Sequence, residues 1–408
     1  MTQLIINSNS STDPLLMRQL PLPEDATAAK ALIVSEGSGA CAAAFGNEAR
    51  AIVLTGSMSR GEATLKKDGA DWHVLGDATF LVVSDHPARV RVDELQQQIE
   101  DNLLAQKVIC KTVVVTATTA QLRNMKPQIY AYELRERGIV LWGDDQVLRL
   151  IPPFAASDIP KEDGWWLLCN RMIEQLESAA EADCPDDDDA RVRYRIAKLY
   201  LAMAASYLLT IGEYRPTYRD RAAHLQTLAR GSDTLATPIS LVRFCRFVSQ
   251  CTELKLAGEI VGSSDKFPRW SDAVADADML WRWTLARIVG LDSDQSRADL
   301  LAAIAAQQPL LARVKSWARA AYVCRSEFLR HGWRWSQLAH ATSPRYLVYG
   351  AASELFFHTA KQETIPTAEL DTITANLPLT TFPPPQSWAS VAKLIAYNFH
   401  VLLEANRS

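Results

Sequence analysis

Between residues 25 and 150 the chain alternates two kinds of pattern. Short, nearly continuous apolar runs occur at "AIVLTG" (51–56), "ATFLVVS" (78–84), "KTVVVTAT" (111–118) and "IVLWG" (139–143). Val- and Ile-rich runs of this length predict strands buried on both faces. Between them, Leu95, Ile99, Leu103 and Leu104 recur at helical spacing within 92–107, and "QIYAYELRERG" (128–138) reads as a second helix stopped by Gly138. The alternation predicts a sheet with helices packed on it. Residues 1–22 are polar and Pro-punctuated with no sustained period, which predicts a loose arm.

The pattern changes after "IPPFAASDIPKEDG" (151–164), whose Pro residues suit a linker. Beyond it strand patterns all but vanish, and amphipathic Ala-, Leu- and Arg-rich segments take over. In 186–212, Val192, Ile196, Leu199, Met203 and Tyr207 fall on one helical stripe. The four Asp at 186–189 precede it; they read as a solvated cap at a helix N-terminus, with a metal site as the sharper alternative. Further helices are expected over 235–258, 272–290, 308–330, 344–362 and 387–406, separated by Pro268, Pro309, Pro344 and "FPPPQ" (382–386). The Trp residues of this half read as core. The fold class is therefore α+β. A mixed-sheet domain over 23–150 and a linker over 151–164 lead into a mainly α-helical domain over 165–408, which could hold two helical subdomains.

Net charge is -4 over 408 residues, which lacks the basic balance of a nucleic-acid binder. The longest apolar helical run, near 198–211, is too short to span a bilayer, so no membrane partner is expected. Seven Cys are scattered without zinc spacing, and no signal peptide is evident; reduced thiols in a cytoplasm are expected.

The candidate chemistry lies in "AIVLTGSMSRGEATLKKDGADWHVLGDATFLVV" (51–83). A strand ends at Gly56, which permits a positive φ, and Ser57 opens a turn whose backbone N–H groups suit phosphate oxygens. Arg60, one turn on, adds charge. Asp77 stands at the mouth of the next strand, and positions 77 and 79 share a strand face. Two carboxylates at that spacing would grip a divalent ion, but position 79 is Thr.

This arrangement resembles the nucleotidyltransferase superfamily, the group that includes DNA polymerase beta and kanamycin nucleotidyltransferase. "LTGSMSRGEAT" is similar to the family's first half-motif, and "LGDATFLVV" to its Asp-x-Asp strand. The resemblance covers roughly residues 45–150. It implies that Gly56, Ser57 and Arg60 hold a nucleoside triphosphate, that Asp77 is the first ligand of a magnesium ion, and that Thr79 occupies the place of the second carboxylate. The family's third carboxylate belongs on a later strand; the matching run "KTVVVTATT" (111–119) contains no acid. Glu62, Asp68, Asp71 and Asp144 are the nearby acids. Loss of one charge-stabilising group costs ~2.7–4 kcal/mol of barrier, so loss of two leaves little activity, while backbone phosphate binding survives.

In "TIGEYRPTYRDRAAHL" (210–225), Gly212 and Pro216 mark an interhelical corner carrying Arg215, Tyr218 and Arg219. It reads either as Arg side chains paired with neighbouring acids or as an anion or acceptor patch. Two functions follow from the resemblance. One is a triphosphate-binding protein with lost catalysis and a binding or regulatory role. The other is an active magnesium-dependent enzyme moving a nucleoside monophosphate to a small-molecule or protein hydroxyl.

Overall fold

Alternate residues of two neighbouring strands feed two different cores. Ile52, Leu54, Phe80 and Val82 share one core with Ile33 and Phe45 of helix α1 (Ala26–Phe45) and with Leu95, Ile99 and Leu103 of α3 (Val92–Ala105). Ala51, Val53, Leu81 and Val83 point the other way, towards Leu122 of α4 (Thr119–Arg123) and Ala131 and Leu134 of α5 (Ile129–Arg137). Two-sided burial is why these strands read as unbroken apolar runs. The computed structural model describes residues 24–87, 89–181, 190–231, 237–257, 267–359, 365–380, 384–385 and 387–404. The arm expected over 1–22 and the Asp run at 186–189 lie outside the described residues, as does most of "FPPPQ".

The sheet has five strands: β1 (Ala49–Thr55), β2 (Leu65–Asp68), β3 (Asp71–Ser84), β4 (Val108–Thr118) and β5 (Ile139–Gly143). One edge of β3 is antiparallel to β2 through residues 71–74 and to β1 through 79–84; its other edge runs parallel to β4. Helix α3 makes the β3-to-β4 crossover, and β5 closes the far side against β1. The sheet is thus mixed, as expected. Strand β3 starts seven residues before the apolar run that announces it, because "DWHVLGD" pairs through a hairpin rather than through two buried faces.

The β3–β4 ladder is irregular between His73 and Asp77, where Gly76 has φ 150°. Leu75 donates its N–H to the Thr64 carbonyl at 2.9 Å. Its own carbonyl turns out of the ladder and accepts from two side chains of the helical half, described below.

That half runs from α6 (Lys161–Glu181) through α7 (Ala190–Thr210), α8 (Tyr218–Gly231), α9 (Leu241–Ala257), α10 (Trp270–Val289), α11 (Arg297–Gln307), α12 (Leu310–Val323), α13 (Arg325–Ala341), α14 (Pro344–Thr359) and α15 (Thr367–Ala375) to α16 (Trp388–Phe399). One core threads it from Trp165 to Leu403. The stripe expected on α7 is an understatement. Every residue from Leu199 to Thr210 is buried, because α6, α8, α9 and α10 all pack on this helix.

The single helix expected over 308–330 is two helices, broken at Cys324 (φ -109°, ψ 52°) with no Gly or Pro there. Packing dictates the break. Trp317 and Trp335, one from each helix, meet with ring centroids 5.4 Å apart, and their indole N–H groups donate to the Thr342 and Pro378 carbonyls. In this half, helices α6, α11 and α15 have no counterpart among the sequence expectations. Trp333, unlike the core Trp residues, is 79% exposed.

The stretch expected as a linker is packed. Ile151 and Ile159 are buried, Ile159 joins Leu209 and Tyr214 in a small core that also touches Ile129, and α6 begins at Lys161. Six cysteines are described, all buried free thiols. Among the described residues no helix is long and apolar enough to cross a membrane.

Candidate functional site

Strand β1 delivers the chain to Gly56 beside β3. Thr55 pairs with Thr79, and Gly56 follows with φ 73°, a conformation that side-chain-bearing residues rarely adopt. A single helical turn, α2 (Gly56–Ser59), comes next; Ser59 Oγ donates back to the Gly56 carbonyl at 3.0 Å. The Glu62 N–H donates to the Ser57 carbonyl at 2.8 Å and closes the turn.

A Cβ placed on Gly56 would stand 3.6 Å from Thr79 Oγ1. Thr79 Oγ1 in turn donates to Asp77 Oδ2 at 3.2 Å. Gly56, Thr79 and Asp77 therefore line one short path, and the Asp77 end of it is exposed to solvent. Across the parallel ladder, Asp77 faces Lys111 and Thr79 faces Val113, so β4 brings a cation and an apolar residue rather than an acid.

The other acids lie elsewhere. Asp144 pairs with Arg50 at 2.9 Å, at the opposite end of β1. Asp68 and Asp71 face each other at the β2–β3 turn, and Asp71 is six residues from Asp77, roughly 20 Å along a strand. Glu62 is buried within the fold. Among the described residues no group of three or more His, Cys, Asp or Glu side chains could hold a metal ion. One carboxylate and one neutral hydroxyl do not fit the two-ion centre that nucleotidyl transfer uses.

Arg60, expected to add charge to the phosphate turn, takes part in a buried ionic network. Its guanidinium contacts Glu133 at 2.7 Å and Glu62 at 3.2 Å, and its side chain is only 9% exposed. Glu133 also accepts from the Tyr214 hydroxyl at 2.5 Å, and Arg221 donates to the same hydroxyl at 3.2 Å. Burial, then the Glu133 charge, holds the Tyr214 phenol far above its ordinary range, so it keeps its proton.

Glu62 crosses to the helical half. Its Oε1 accepts from the backbone N–H of Tyr218 at 2.6 Å and of Arg219 at 3.2 Å, satisfying two orphan donors at the start of α8. The Tyr218 ring lies 4.7 Å from the Arg221 guanidinium carbon and 5.8 Å from that of Arg60. Arg215 pairs with Glu213 at 3.5 Å. The corner thus meets the turn after β1 through Glu62, and of its Arg side chains Arg215 is engaged by Glu213 and Arg221 by Tyr214 and Tyr218. Arg219 also lines a groove between α8 and α9, with cavities of about 400 and 490 Å³ that share Gln226, Ser249 and Glu253.

The structure adds cations the sequence reading did not single out. Tyr194 OH donates to the Leu75 carbonyl at 3.0 Å; Lys255 Nζ donates to the same carbonyl at 3.2 Å and to Tyr194 OH at 2.8 Å. Lys198 contacts Glu174 at 3.2 Å, and Arg171 pairs with the same carboxylate. Burial, followed by Lys198 and Arg171, pushes Lys255 down to about 8, against the opposing pull of Asp77 and Glu62. Burial and Arg171 likewise lower Lys198, again opposed by Glu174 and Asp77. Asp77 thus stands within electrostatic reach of both lysines.

A signal for Lys255 exists in the sequence. With Val248 and Cys251 it keeps the i, i+3, i+7 spacing of an apolar helix face, an anomalous place for a cation. No comparable signal marks Lys198. Neither protein-family models nor curated proteins match this chain.

Proposed function

We propose that this chain is a nucleotidyltransferase-like protein that binds a nucleoside triphosphate at the Gly56–Ser57 turn and serves as a binding or regulatory module without transferring the nucleotide. The observation that carries the proposal is the convergence at one mouth of the sheet. The Gly56 turn abuts Thr79, whose hydroxyl donates to Asp77 at 3.2 Å, and two lysines, Lys198 and Lys255, belong to the helices packed against this strand.

Arg171 lowers the proton affinity of Lys198, and Lys198 and Arg171 lower that of Lys255, so further negative charge nearby would favour the charged amines. A triphosphate beside the Gly56 turn would supply that charge. Backbone N–H groups in the turn need no side-chain chemistry to meet phosphate oxygens. Arg60 then acts indirectly, by fixing the turn against Glu133 and Glu62.

Catalysis is the part the residues do not support. The places of the second and third carboxylates hold Thr79 and, on β4, Lys111 and Val113. A magnesium ion accompanying the nucleotide would find Asp77 as its one carboxylate at this turn. The buried thiols fit a reducing cytoplasm.

The test is calorimetric titration with each nucleoside triphosphate, with and without magnesium, combined with a pyrophosphate-release assay. The proposal expects binding without release. Magnesium-dependent release that disappears in Asp77→Ala would replace it with the enzyme reading, in which a small-molecule or protein hydroxyl accepts the nucleoside monophosphate.

A further inference from the structure

Helices α12 and α13 break the rule that large apolar side chains of the helical half are buried. Leu311 and Val314 are 65% and 55% exposed, Tyr322 is 69%, and Leu329 and Trp333 are 85% and 79%. Their spacing is ordered. Positions 311, 314, 318 and 322 form one stripe of α12, away from the face that buries Trp317 and Ala320. Leu329 and Trp333 are one turn apart on α13. Cys324 joins the helices, so Tyr322 and Leu329 flank the same corner.

Charge distinguishes this surface further. Residues 310–341 contain six Lys or Arg and one acid, Glu327, in a chain whose net charge is -4. Arg313 and Arg334 turn inward to backbone carbonyls. Lys315, Arg319, Arg325 and Arg330 are on exposed positions among the apolar side chains.

We propose that the α12–α13 corner binds the surface of an anionic lipid bilayer. Helices with Trp, Tyr and Leu beside Arg and Lys suit the headgroup region. There the apolar groups enter the acyl boundary while the cations keep their heads at the phosphates. A second copy of the chain would bring like charge against like charge. A protein partner would need a matched recess for each protruding side chain, whereas a fluid interface accepts Leu329 and Trp333 as they stand. Lack of a spanning run underlies the expectation of no membrane partner; surface binding requires no span. The proposal is independent of nucleotide binding.

The experiment is co-sedimentation of the full chain with phosphatidylcholine vesicles and with vesicles containing phosphatidylglycerol, alongside lipid-free sedimentation equilibrium. The expected result is binding to the anionic vesicles alone, weakened by salt. In R325E/R330E, binding should fall roughly five-fold or more per charge changed. In L329S/W333S, where both changes are on exposed positions, it should be lost at unchanged melting temperature. Equal binding to neutral vesicles, binding indifferent to either double substitution, or binding to poly-glutamate without binding to vesicles would each overturn the proposal. So would a wild-type dimer that L329S/W333S dissociates.

Discussion

Glu62 accepts a 2.6 Å hydrogen bond from the backbone N–H of Tyr218, tying the turn after β1 to the first residue of α8. The contact joins the two stretches whose chemistry drew notice in the sequence. It converts an Arg-x-Glu sequence from a ligand-facing feature into a brace between sheet and helices.

If this brace is structural, Glu62→Ala leaves Arg60 short of one buried partner and α8 without its cap. The expected loss is about 3 kcal/mol, the lower end for breaking a buried pair. Glu213→Ala, which gives up half-exposed contacts with Arg215 and His224, should cost less, about 1 kcal/mol. Denaturant unfolding compares them; equal midpoints would show that Glu62 braces nothing.

A second prediction sets two effects against each other. Gly37 lies within α1, where Ala is favoured by about 1 kcal/mol on helix propensity. A Cβ there would come within 2.1 Å of the Phe80 ring, which is fully buried. Overpacking of this kind costs about 1–3 kcal/mol, because the buried ring or the helix must shift to admit the methyl group. Gly37→Ala is expected to lower the melting temperature; a rise would mean that α1 sits further from the sheet.

Lys255 supplies a pH dependence with a definite sign. Its folded value is about 8, and the unfolded value is 10.5. Between these the unfolded chain holds a proton that the folded chain lacks, so stability rises with pH through that window. Below about pH 8 the penalty for burying the charge is present in full. The stability of the wild type minus that of Lys255→Met should therefore increase by about 3 kcal/mol from pH 8 to 10.5. A flat difference would mean that the amine is not desolvated.

Asp77 is the negative charge at the site, and its effect depends on whether metal takes part. Without magnesium, Asp77→Asn removes repulsion of the triphosphate and should tighten ATP binding about five-fold, a gain of about 1 kcal/mol. Equal binding by both proteins under those conditions would place the triphosphate away from Asp77.

The sheet was legible because Val53, Leu81 and Val115 belong to runs buried on both faces, which leave an unmistakable pattern. Helix α1 was not, since Gly37 and Gly39 with several Ala blur its amphipathic period. The corner at Cys324 carries no turn residue, and only the meeting of Trp317 with Trp335 explains it. At the site, the adjacency of Gly56, Thr79 and Asp77 follows from strand spacing. The lysines do not: Lys255 reaches the Leu75 carbonyl, two residues from Asp77, only because α9 packs over the irregularity in β3, and Lys198 of α7 is held by Glu174. The partner of Arg60 was equally hidden: Glu133 lies 73 positions away and only the fold brings the two together.

The most direct measurement is calorimetric titration of the wild type and of Ser57→Trp with ATP, at matched melting temperatures. The account predicts saturable binding by the wild type and none by the variant, whose indole fills the mouth of the Gly56 turn. Equal binding by both proteins, or no binding by the wild type, would contradict it.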